Sequence, residues 1–205
     1  MGRNEIFNSV THLAGSVFAV AGLAALVSTS LRTGDPWKIA SFSIYGVAMV
    51  ALYLFSTLYH AITGPAKRIF RKLDHTSIYV LIAGTYAPFA LVSLRRAGGA
   101  WLLALVWALA AAGIAQEFLL PRRIRALSVS LYLLMGWLAA AFFLPLLRAI
   151  GPRGIGWLLA GGLLYTTGVF FYLVDEKYAH SHGVFHLFVL GGSVLHFVAV
   201  MFYVA

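Results

Sequence analysis

The chain has 205 residues, of which 61% are hydrophobic and 10% charged, with a formal net charge of +9 and no cysteine. A soluble domain carries roughly 25% charged residues, so an ordinary soluble fold is excluded and lipid is the solvent for most of this surface. The missing cysteines remove disulfides and thiolate metal sites, and the basic residues fall in short clusters between apolar runs, where lipid headgroups and insertion topology explain them and nucleic acid does not.

After a polar start, Met1 to Asn8, with no signal-peptide pattern, seven apolar runs follow: Val10–Leu31, Ile39–Ile62, Ser77–Leu94, Ala100–Leu120, Ala126–Leu147, Gly154–Val174 and Gly183–Val204. Each is long enough to span, since a helix needs about 20 residues to cross about 30 Å of hydrocarbon. The separators are short and carry the breakers Gly34-Asp35-Pro36, Gly64-Pro65, Gly98-Gly99, Pro121 and Gly151-Pro152. Pro88 and Pro145 fall inside runs and are expected to disturb them.

The pattern predicts an all-α fold: one domain over residues 1–205, a polytopic membrane protein built as a seven-transmembrane-helix bundle of antiparallel neighbours. With the N-terminus cytoplasmic and the C-terminus outside, the inner side receives Arg3, Lys67, Arg68, Arg71, Lys72, Arg122, Arg123, Arg125 and Lys177. These are nine of the fifteen basic residues, and that bias favours this orientation.

Ionisable groups at membrane depth are costly, so their convergence marks function. His60 ends the second run, Asp74 precedes the third, and His182 and His186 open the seventh, which places all four on the inner side of a seven-span alternation. His182 and His186 are four positions apart, one helical turn on one face. His60 supplies a third imidazole, and three protein nitrogens with a fourth position open to water is the arrangement of catalytic zinc. Asp74 would then handle a proton or orient the water, and Ser56, one turn before His60, would reach a ligand or a substrate carbonyl. The His-x-x-x-His pair is weak by itself, and Gly183 stands where the metalloprotease signature His-Glu-x-x-His has its glutamate. Glu5 and His12 read as interfacial anchors, His75 as a peripheral neighbour of Asp74, and His180 as a loop residue. His196 reads as a bond to a neighbouring helix, and Glu117 as a partner for nearby arginines.

The motifs Glu5-x-x-Asn8-x-x-Thr11-His12, Ser56-Thr57-Leu58-Tyr59-His60, Leu73-Asp74-His75 and His182-Gly183-Val184-Phe185-His186 resemble those of the hemolysin III proteins, the bacterial branch of the progestin and adipoQ receptor (PAQR) superfamily. The resemblance runs over essentially the whole chain. It implies zinc on His60, His182 and His186, with Asp74 and Ser56 beside the bound water, in a seven-helix bundle whose N-terminus faces the cytoplasm. It further implies a multi-pass protein of the bacterial inner (plasma) membrane.

The expected function is a zinc-dependent hydrolase of a lipid amide or ester bond, as in the distantly similar alkaline ceramidases, with membrane lipids as partners. Two alternatives stand beside it. One is a noncatalytic sensor or homeostasis factor with structural zinc; the other is a pore-forming hemolysin, although no polar stripe runs through successive spans.

Overall fold

The computed structural model describes residues 3–120, 123–178 and 180–204. Pro121 and Arg122, read above as a breaker and an inner-side cation, lie outside the described residues, as do Met1 and the side chain of Arg3. Regular structure among the described residues is entirely helical: α1 (Arg3–Thr33), α2 (Pro36–Ala61), α3 (Lys67–Pro88), α4 (Gly99–Leu119), α5 (Arg125–Trp137), α6 (Phe143–Leu173) and α7 (Ser181–Tyr203).

Local chemistry sets the helix ends. Asp35 caps α2 by accepting the Trp37 backbone N–H at 2.8 Å, and Pro36 occupies the first helical position, where its missing donor is not needed. Both prolines inside apolar runs mark departures from α geometry. Pro88 leads into a π turn over Phe89–Ser93, and Pro145 follows a 3-10 stretch over Leu138–Phe142. The basic segment Lys67–Lys72 is the first part of α3, so Asp74 lies inside that helix and not ahead of it.

Among the described residues, six helical segments are long and apolar enough to cross a membrane, one of them the 49 residues of Arg125–Leu173 that include α5, the 3-10 stretch and α6. Unbroken, that segment would measure about 74 Å, more than twice the roughly 30 Å of hydrocarbon. It is broken at Gly151, whose φ of 69° and ψ of 173° belong to a region open only to glycine, and Pro152 follows. Residues on either side meet as antiparallel neighbours: Trp137 Nε1–H donates to Thr166 Oγ1 at 3.1 Å, and Arg125 pairs with Asp175 at 2.7 Å. The chain therefore doubles back at Gly151.

Large apolar side chains face outward, Trp101 at 82% exposure among them, while Tyr45, Tyr53 and Tyr79 are buried. Lipid reverses the usual sorting, so the interior is where hydroxyls find partners. Tyr53 donates to Ser193 Oγ at 2.7 Å and so links α2 to α7. Gly84 brings α3 against α2, since a Cβ there would lie 2.6 Å from that of Ala48.

Candidate metal centre

His60 closes α2, and His182 and His186 occupy the first two turns of α7. The fold brings one ligand atom from each within 4.8 Å of the others. His60 and His186 are buried at 4% and 2% exposure, and His182 is partly exposed.

Two of the rings are held from behind. A carboxylate only accepts, so His60 Nδ1–H donates to Glu5 Oε2 at 2.9 Å and His182 Nδ1–H to Asp175 Oδ2 at 2.8 Å. Both bonds leave Nε2 as the free lone pair. His60 Nε2 is buried with no hydrogen-bond partner among the described residues, an orphaned acceptor that a cation would satisfy. Three imidazoles with their rings 4.6 to 5.3 Å apart make a donor set that fits one metal ion of the zinc type.

Asp175 lies between the apolar segments. Partial burial alone would push its carboxyl up; its bonds to His182 and Arg125 outweigh that and hold it below the ordinary carboxylate range.

The histidines open on a cavity of about 620 Å³ that reaches past Leu52, Leu81 and Val189 to Tyr165 and His196. Ser56 and Asp74 line it too. Among the described residues, Ser56 Oγ, 1% exposed as a residue, has no partner and the Asp74 carboxylate makes no hydrogen bond.

Other expectations divide. His196 bonds the Leu158 carbonyl of α6 at 3.0 Å, and Glu117 pairs with Arg123 at 2.7 Å, as anticipated. His75 turns its Nδ1 toward Glu117, at 3.5 Å, and joins that network. His180 stays outside the cluster, in a left-handed conformation just before α7.

Glu5 and His12 are not interfacial anchors. Glu5 bonds His60, and His12 is 3% exposed and stacked on His186. Their signal was present: Glu5, Asn8 and His12 follow the i, i+3, i+7 spacing of one helix face. Asp175 had no such signal, because a loop places it.

Helices of this apolarity around a buried histidine cluster define a multi-pass integral membrane protein. Comparison narrows the class: a family model described as "Haemolysin-III related" matches residues 2–197, and the chain belongs to that family. It is 43% identical to "Hemolysin-3" of Bacillus cereus, over 98% of this chain and 92% of the relative. The "Hemolysin-3 homolog" of Bacillus subtilis (strain 168) is 42% identical over 98% and 94%. The human "Monocyte to macrophage differentiation factor" is 30% identical over 96% and 82%, which accords with the PAQR superfamily.

Proposed function

We propose that this protein is a zinc-dependent membrane hydrolase that cleaves a lipid amide or ester bond. The observation that carries the reading is the convergence of His60, His182 and His186 on a cavity of about 620 Å³ whose walls are largely apolar and which also presents Asp74 and Ser56. Zinc in an open three-nitrogen site supplies a Lewis acid that acidifies water and polarises a carbonyl. Asp74 takes the proton from the attacking water and returns it to the leaving group, and Ser56 donates to the substrate carbonyl. Leu52, Leu81 and Val189 hold the acyl chain and keep bulk water out.

The same reading takes the chain as one domain with seven crossings, N-terminus inside, in a bacterial inner membrane. The reversal at Gly151 supports dividing Arg125–Leu173 into two crossings, and the inner-side excess of basic residues supports the orientation. The test is release of fatty acid from ceramide-like and acyl-lipid substrates by detergent-purified protein. His186→Ala and Asp74→Ala should each abolish it, and turnover indifferent to both would refute the hydrolase.

One observation favours a second reading, in which the metal is structural. His60 and His182 join α2 to α7, and their carboxylate partners bring in the start of α1 and the segment before α7. On that reading, metal removal lowers the thermal midpoint and no lipid is consumed.

A further inference from the structure

Each carboxylate behind the cluster is gripped a second time. Glu5 gives Oε2 to His60 and Oε1 to Lys67 Nζ at 3.4 Å. Asp175 gives Oδ2 to His182 and Oδ1 to Arg125 at 2.7 Å. The same unit of imidazole, carboxylate and cation is thus built twice, from unrelated parts of the chain. Glu5 and Lys67 come from the starts of α1 and α3; Asp175 and Arg125 come from the segment after α6 and the start of α5.

An imidazole at a metal site must have the right nitrogen bare and its ring plane aimed. A carboxylate accepting from Nδ1–H does both, and it makes Nε2 more basic. The cation on the other oxygen prevents the carboxylate from turning away. Structural tethers between helices would be served as well by direct pairs, Glu5 with Lys67 and Asp175 with Arg125, and would not require each acid to spend its second oxygen on a histidine of the cluster.

We propose that Glu5 and Asp175 are the positioning residues of the metal centre, each setting the tautomer and aim of one ligand, His60 and His182 respectively. This rests on the metal reading of the three histidines but not on the hydrolase reading. His186 has no carboxylate among the described residues; it is stacked on His12 and bonded to the Asn8 backbone, so the cluster has two ligands aimed by carboxylates and one that is not.

The experiment is zinc affinity by chelator competition, with the cobalt absorption spectrum and metal-free thermal midpoint measured on the same detergent-purified full chain. Glu5→Ala and Asp175→Ala should each weaken zinc by about 10- to 100-fold. Glu5→Gln, which keeps an acceptor without the charge, should fall between wild type and alanine. Because the two carboxylates act on different ligands of one ion, the double variant should bind zinc more weakly than either single variant. Lys67→Gln should cost less than Glu5→Ala, since it leaves the acceptor in place.

Affinity and cobalt spectrum unchanged in both alanine variants would overturn the inference, as would a lowered metal-free midpoint with unchanged affinity, the mark of a mere tether. A wild-type chain taking up no metal that His186→Ala abolishes would overturn the metal reading and this inference together. Metal binding that responds as expected, with no lipid turned over, would leave the inference standing and the hydrolase refuted.

Discussion

The imidazole of His12 lies flat on that of His186, with ring centroids 3.7 Å apart and planes 25° from parallel. Both His12 nitrogens are buried without a hydrogen-bond partner among the described residues, and Tyr53 meets the same ring edge-on. A buried polar atom left unpaired costs about 1 to 3 kcal/mol, so this ring is expensive for a packing element. It lines the cavity, where a bound polar group would satisfy it.

His12→Phe keeps the stack and removes the unpaired nitrogens. We expect it to raise the metal-free unfolding free energy by about 1 to 2 kcal/mol, whereas His12→Ala, which opens a void, should lower it by a similar amount. Thermal melts of the two variants in detergent check this, and a destabilised His12→Phe would show that the nitrogens are satisfied.

Gly151 should tolerate no side chain although nothing among the described residues lies within 4 Å of a Cβ built there, because its backbone conformation is the obstacle. Gly151→Ala is expected to cost about 1 to 3 kcal/mol. Gly136→Ala, equally open but inside the helical stretch of α5, should be neutral or stabilising by up to about 1 kcal/mol. Equal effects in the two melts would count against the reversal.

The cysteine-free chain also allows a direct test of orientation. Single substitutions Lys38→Cys and Arg153→Cys should react in whole cells with a membrane-impermeant maleimide, and Lys177→Cys only after permeabilisation. The opposite labelling would invert the proposed topology.

Gly183 sits where α1 crosses α7. A Cβ there would collide with the Phe7 ring and lie 2.9 Å from Asn8 Oδ1. Gly183→Ala should therefore destabilise the protein by about 1 to 3 kcal/mol and loosen the neighbouring ligands. Gly183→Glu, which writes in the protease signature, should lose metal instead of gaining proteolysis; metal analysis of both variants decides it.

Asp175 gives a signed pH dependence. Its folded value lies below the ordinary one, so its contribution to stability is present above the unfolded value of about 3.9 and is lost as pH falls through the folded value. The stability gap between wild type and Asp175→Asn should be level near neutrality and close below about pH 4. A gap that widens in acid would reverse the assigned direction.

Local features were legible from the residues. Apolar runs report on lipid because hydropathy sums over neighbours, and the His182–His186 pair could be read because four positions are one turn of any helix. The third run was placed too late, since hydropathy registers charge while Lys67, Arg68, Arg71 and Lys72 are good helix formers. Glu5 and His12 carried the spacing of a helix face, but their partners lie 55 and 174 positions away, and no periodicity names a distant partner.

The amino-acid sequence by itself determined that this chain lives in lipid, that its regular structure is helical, and that His60, His182 and His186 are candidate ligands. These follow from composition and from the fixed pitch of the helix. Only the tertiary structure decided that the three histidines meet, that Glu5 and Asp175 stand behind two of them, and that His12 covers the third. Those contacts depend on how α1, α2 and α7 pack and on where the segment after α6 sends Asp175. Packing is a property of several helices at once, which no single window of sequence contains.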